Sequence, residues 1–108
     1  MSDFEHALAK DGHITDVYVA QPKSQALATV VILQEIFGIT DHIKDICNQY
    51  ASNGYLVAAP ALYDRIRKNI VLDYSSFVEG KDYKMQLNDE QTLMDIEATI
   101  ALAKKDSK

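Results

Sequence analysis

The segment Gln34-Glu-Ile-Phe-Gly38 directly follows the apolar run Ala28-Thr-Val-Val-Ile-Leu-Gln34, which sets a carboxylate, Glu35, at the end of what reads as a buried strand. A carboxylate is costly to desolvate there unless it is paired. Glu35 is therefore a hydrogen-bonded structural group, a general base, or the partner of a polarised nucleophile, and the residue types alone leave these three open. In open parallel sheets ligands bind beyond the carboxyl ends of the strands, which is where Glu35 falls.

The other chemically capable residues read more simply. Cys47 stands beside Ile43 and Ile46 in a helical pattern, with no G-x-C-x-G turn around it, so it reads as packing. His42 and Cys47 are five positions apart and point to different helix faces, a poor geometry for a Cys-His dyad. His6 and His13 flank the Asp11-Gly12 turn and could meet across a hairpin, but two imidazoles without a third ligand make no metal site. Asp64, Arg65, Arg67 and Lys68 form a charged patch that reads as a solvated loop or a substrate-facing one. Ser75-Ser76 lacks the G-x-S-x-G context of a serine nucleophile. Gly38 stands alone after its strand, which fits neither a dinucleotide nor a P-loop site.

The elements that must position Glu35 follow from periodicity. Asp11-Gly12 signals a turn, and Ile14 to Ala20 alternates with Val17 and Val19 on one face, which predicts an N-terminal hairpin. The β-branched run from Ala28 to Gln34 has almost no polar alternation and suits a central strand covered on both faces. Ile43, Ile46, Cys47, Tyr50 and Ala51 recur at helical spacing between Thr40 and Asn53, and Gly54 stands where a left-handed cap is wanted. Tyr55 to Ala59 reads as a second buried strand stopped by Pro60, so strand, helix and strand form a right-handed parallel unit. Residues 61–87 fit neither period and are expected to be loop with a short helix. Asn88 as N-cap, with Gln91 three residues later, opens a helix from about Asp89 to Lys105 whose inward face is expected to carry Leu93, Ile96, Ile100 and Ala103.

Three blocks taken together, Val30-Val-Ile-Leu-Gln-Glu-Ile-Phe-Gly38, His42-Ile-Lys-Asp-Ile-Cys47 and Gly54-Tyr-Leu-Val-Ala-Ala-Pro-Ala-Leu-Tyr63, resemble the N-terminal half of the dienelactone hydrolases, also called carboxymethylenebutenolidases. Asp11-Gly12 is similar to that family's first hairpin turn, and Asp95-Ile-Glu-Ala-Thr-Ile100 to its helix before the nucleophile strand. The resemblance implies an incomplete α/β-hydrolase fold over residues 1–108, mostly parallel, with an N-terminal hairpin and flanking helices. It also implies hydrolysis of an ester or lactone by a Cys-His-Asp triad without a cofactor. In that scheme Glu35 meets the nucleophilic thiol and helps control its ionisation, and the Ile36 backbone N–H contributes to the oxyanion hole. Arg65 is a candidate for holding a substrate carboxylate, although no motif matches it. The family's G-x-C-x-G elbow is not among these residues, and neither are the triad Asp and His. The chain alone is thus expected to be an inactive, truncated portion of such an enzyme or one half of a split one that meets a complementing chain, or else a non-catalytic assembly partner of another chain, with self-association through the open sheet.

Composition narrows the alternatives. The chain has 108 residues, 47% hydrophobic and 25% charged, which suits one globular domain. With 11 Lys+Arg against 16 Asp+Glu the net charge is -5, and no basic cluster is interleaved with aromatics, so a nucleic-acid groove is not expected. The longest apolar stretch is far too short for a bilayer span and the start lacks a signal-peptide pattern, so the expected location is cytoplasmic, without membrane contact. A single cysteine excludes an internal disulfide and a Cys-rich zinc site.

Overall fold

A computed structural model describes residues 2–106. The turn at Asp11-Gly12 joins β1 (Ser2–Leu8) to β2 (Ile14–Ala20), which pair antiparallel from Ser2 opposite Ala20 to Leu8 opposite Ile14. β3 (Thr29–Val31), α1 (Asp41–Ser52) and β4 (Leu56–Pro60) form the strand, helix, strand unit, with β3 and β4 parallel. A 3-10 turn (Leu62–Arg65), α2 (Phe77–Gln86) and α3 (Asp89–Asp106) follow. The strand order is β1-β2-β4-β3, so β2 lies antiparallel to β4 and the sheet is mixed, its parallel part being the β3–β4 pair.

The sheet is buried from both sides, which explains why β4 carries no polar side chain. Val57 and Ala59 face α1, where they join Tyr18, Ile43 and Cys47 in one core. Leu56 and Ala58 face α3 and join Ala7, Val17, Val19 and Ala103 in the other. The small residues Ala58 and Ala59 let both helices approach the sheet closely, and neither exposes any surface. Every residue of β4 is buried for this reason.

Local sequence sets the bounds of the first helix. Thr40 is its N-cap, its hydroxyl oxygen accepting from the Ile43 N–H at 3.3 Å, and Asp41 puts a negative charge in the first turn. Gly54 follows the C-cap at φ +100, and its N–H bonds the Ala51 carbonyl. In α3 the expected Asn88 cap is present, its side chain accepting from the Gln91 N–H at 3.1 Å.

Two expectations are revised, and a third gains its bounds. The 28–34 run gives a strand of only three residues, and among the described residues β3 is an edge strand rather than a central one, with Leu33 half exposed. α3 turns Asp95, Thr99 and Ala103 inward, while Leu93 and Ile100 are exposed, because the Asp95 carboxylate must reach Arg65 across the sheet end. The 61–87 segment holds a ten-residue helix, α2, whose one buried residue is Gly80. No helix among the described residues is long and apolar enough to cross a membrane.

Gly54 supplies a test of this frame, because its positive φ and the approach of Leu27 Cδ1 to 3.0 Å from an added Cβ both disfavour a side chain. Gly54→Ala is expected to destabilise the chain by about 1 kcal/mol or more. The measurement is the urea unfolding midpoint, which falls while the slope stays unchanged.

Candidate functional site

Beyond the carboxyl end of β3 the backbone turns sharply at Glu35–Gly38. The Gly38 N–H bonds the Glu35 carbonyl at 3.1 Å, and Gly38 takes φ +94. An added Cβ at Gly38 would collide with the Ile70 carbonyl oxygen, so glycine is required there by both conformation and space. The same turn is tied to the following segment by the Leu72 N–H, which donates to the Phe37 carbonyl at 2.8 Å.

Side chains fix the two peptides that matter. The Gln34 amide donates to the Glu35 carbonyl at 3.1 Å, and its oxygen accepts from the Leu62 N–H at 2.7 Å. With the Glu35 carbonyl held by Gln34 and Gly38, the N–H of the same trans peptide, that of Ile36, must point the opposite way. Among the described residues no backbone acceptor meets it. The Ile36 carbonyl is held in turn by the Tyr63 hydroxyl, which donates at 2.7 Å and lies 3.1 Å from the Gly80 carbonyl. Burial pushes the Tyr63 phenol above its ordinary pKa. Gly80 must be small because an added Cβ would stand 2.8 Å from the Ile36 carbonyl oxygen.

The Glu35 carboxylate is partly buried and bonded through one oxygen. Thr40 Oγ1 donates to Glu35 Oε1 at 2.9 Å, and the Tyr74 hydroxyl donates to the same atom at 2.8 Å. The Tyr74 ring packs edge-on against Phe37 with centroids 4.8 Å apart. Gln34, Glu35, Ile36, Leu62, Tyr63 and Lys84 line an open cavity of about 240 Å³ at this end of the sheet. A larger hollow of about 600 Å³ lies at the opposite end, where β4 begins, among Gln21, Pro22 and Lys105. The smaller cavity is the chemical candidate, because it lies beyond the carboxyl ends of the parallel strands and both Glu35 and Ile36 line it.

The structure brings Glu35 and Ile36 together and sets Arg65 elsewhere. The Arg65 guanidinium donates to both Asp11 oxygens at 2.8 and 3.0 Å and to both Asp95 oxygens at 2.8 and 2.9 Å. Its side chain is 12% exposed and that of Asp95 is 1% exposed, so this is a buried clasp joining the hairpin turn, the 3-10 turn and α3. The Arg65 hydrogen bonds hold the Asp11 carboxyl down at about 2, and the bonds to Asp11 and then Asp95 raise the pKa of Arg65 itself. With its donors engaged in this way, Arg65 belongs to the scaffold.

The remaining candidates also find local partners. His6 Nδ1 lies 2.9 Å from Asp16, whereas His13 Nδ1 lies 3.1 Å from Thr15, so the two imidazoles do not meet. Asp64 accepts from the Asp16 N–H at 2.8 Å and from Lys68 at 3.1 Å, making that patch a latch between the 3-10 turn and β2. Cys47 is fully buried against the sheet, and desolvation pushes its thiol up to about 11, which disfavours a thiolate. Tyr63 and Tyr74 are the site residues that sequence reasoning missed. Tyr63 ends the Gly54–Tyr63 block, and Tyr74 has no local signal at all.

Comparison with known proteins shows the family. The profile of the dienelactone hydrolase family matches residues 15–108. The crystal structure of a candidate dienelactone hydrolase from Klebsiella pneumoniae superposes with a TM-score of 0.81 at 30% identity, covering 97% of this chain and 44% of that one. A candidate carboxymethylenebutenolidase of Synechocystis is 36% identical over 89 residues, covering 80% of this chain and 36% of the relative. Another, of Yersinia pestis, is 35% identical over 98 residues, covering 88% of this chain and 36% of the relative. The chain thus spans little more than a third of the length of these two relatives.

Removing the Arg65 guanidinium would leave Asp95 buried without its countercharge. Arg65→Ala is expected to cost about 3 kcal/mol of stability, the loss typical of breaking one side of a buried ion pair. Urea denaturation of the variant beside the unaltered chain checks this, and a change under about 0.5 kcal/mol, the size of an ordinary surface substitution, would place Arg65 outside the scaffold.

Proposed function

The chain belongs to the dienelactone hydrolase family, and from that premise we propose that it contributes the Glu35 carboxylate and the Ile36 N–H to a site hydrolysing an ester or lactone through a cysteine thiolate. The observation that carries the reading is the pinned Glu35–Ile36 peptide, whose N–H points away from a carbonyl held on two sides, next to a carboxylate with one oxygen left open. Such a donor is oriented before substrate arrives, which is what stabilising a developing oxyanion requires.

The chemistry runs as follows on this reading. Glu35 takes the proton of a cysteine thiol, and the thiolate attacks the carbonyl carbon to form a C–S bond. The carbonyl electron pair moves onto oxygen and is met by the Ile36 N–H. Collapse of the intermediate breaks the ester C–O bond, the departing alkoxide takes a proton, and water hydrolyses the thioester. Residues 1–108 act as the N-terminal part of this hydrolase unit, and the nucleophile with its His and Asp partners comes from outside them. Cys47 is not the nucleophile, given its burial on α1 and its raised thiol pKa.

A second reading has its own observation. β3 leaves an unpaired sheet edge among the described residues, and Leu33, Leu93 and Ile100 are exposed, a surface suited to a non-catalytic assembly partner of another chain. Sedimentation of the chain as a cooperative monomer would count against that role.

Activity is tested with and without the missing groups. The 108-residue chain is expected to show no thiol-dependent hydrolysis of an aryl ester. Fused to the remaining portion of a relative bearing G-x-C-x-G, it is expected to turn the ester over, to lose turnover to iodoacetamide, and to lose on the order of a hundredfold in kcat on Glu35→Gln. Full activity of the fused Glu35→Gln variant would overturn the role given to Glu35. Turnover by the isolated chain that survives Cys47→Ala but not Glu35→Ala would overturn the absence of a nucleophile.

A further inference from the structure

We propose that Thr40 and Tyr74 form a two-hydroxyl clamp that holds Oε1 of Glu35 and leaves Oε2 as the oxygen able to meet a reacting group, which makes Tyr74 a positioning residue of the site. The inference rests on the catalytic reading of Glu35, but the clamp itself is a matter of geometry. Both hydroxyls reach the same carboxylate atom, at 2.9 Å from Thr40 and 2.8 Å from Tyr74, and no protein donor meets Oε2 among the described residues.

Counting hydrogens makes the arrangement specific. Each hydroxyl has one proton to donate, and an ionised carboxylate only accepts. With both protons directed at Glu35, the Thr40 oxygen remains an acceptor and is used by the Ile43 N–H at 3.3 Å. The two hydroxyl oxygens lie 3.2 Å apart, side by side on their shared acceptor. Thr40 therefore performs two tasks with one hydroxyl, capping α1 and anchoring Glu35, so the carboxylate is registered to the start of a rigid helix.

Tyr74 is the other half and is built differently. It lies on the segment before α2, which the Gly38–Val71 bridge and the Leu72–Phe37 hydrogen bond tie to the Glu35–Gly38 turn. Its ring rests against Phe37, yet it is 51% exposed. A buried donor and a half-exposed donor thus share one carboxylate oxygen. Without Tyr74 the carboxylate keeps one anchor and can rotate about it, so either oxygen can turn toward the reacting group.

The charges around Tyr74 give a readout that a packing role would not move. The Thr40 hydroxyl, 3.2 Å away, lowers the pKa of the Tyr74 phenol because its proton can turn from Glu35 to the phenolate once Tyr74 ionises, while partial desolvation and the Glu35 and Asp41 carboxylates raise it, with a net position above the ordinary tyrosine value. The phenol titration can be followed by NMR in the 108-residue chain labelled at the tyrosine ring carbon bearing oxygen, with Tyr74→Phe identifying its signal. The midpoint is expected to fall in Glu35→Gln, to rise further in Thr40→Val, and to keep its original value in Thr40→Ser. Opposite shifts from two neighbours of one hydroxyl support the clamp, and Thr40→Ser with Glu35→Gln decides the matter if Thr40→Val fails to fold. An unmoved Tyr74 midpoint in a folded Glu35→Gln chain would overturn the proposal. Because this titration needs no turnover, loss of the hydrolase reading and loss of the clamp are separately visible.

Discussion

The close approach of the Gly38 α-carbon to the Ile70 carbonyl is the constraint on which the site depends. It admits no side chain, so the chain can turn at Glu35–Gly38 while the 70–72 segment lies directly against that turn. Once the two backbones are this close, the Phe37 carbonyl meets the Leu72 N–H and Tyr74 arrives beside Phe37. The N-cap of α1, Thr40, stands two residues after Gly38, which brings its hydroxyl back to the Glu35 carboxylate. A second close approach, Gly80 against the Ile36 carbonyl, brings α2 to the same turn, with Tyr63 reaching both carbonyl oxygens. Two glycines far apart in sequence thus set where the carboxylate and the backbone donor lie.

Buried charge works on the scaffold rather than on the site. Arg65 joins Asp11 and Asp95, and Lys68 joins Asp64, so the hairpin, the 3-10 turn and α3 are locked by ion pairs where β4 ends. The arrangement is economical in hydrogen bonds, since both oxygens of Asp95 and both of Asp11 are met by one guanidinium. By contrast, two hydroxyls meet the Glu35 carboxylate, and no cation is paired with it among the described ion pairs.

What was legible in the sequence followed the strength of local signals. The hairpin turn, α1 with its Thr40 start, β4 and the Asn88 cap of α3 each rest on a turn residue, a cap or a short periodic run, and each lies within a residue or two of its expected place. Glu35 was legible because a carboxylate ending an apolar run is conspicuous. The burial of α3 was not, because an inward Asp95 is stable only with Arg65, thirty positions away, and periodicity weighs hydrophobicity alone. The bounds of α2 were not legible for the opposite reason: its packing is made through Gly80, where the informative property is the absence of a side chain.

The same logic explains why Tyr63 and Tyr74 were invisible while Glu35 was not. Both tyrosines act through their hydroxyls on atoms of Glu35 and Ile36 that lie 27 to 39 positions away in sequence, and no window shorter than that contains both partners. Tyr63 is buried, so its hydroxyl must find an acceptor, and the Ile36 carbonyl meets that need while the bond fixes the peptide. Tyr74 is half exposed and could hydrogen-bond to water instead, so no comparable desolvation cost holds its hydroxyl on Glu35. Its position comes from the backbone ties of residues 71 and 72 and from the Phe37 ring. The buried tyrosine therefore sets a peptide, and the exposed one sets a side chain.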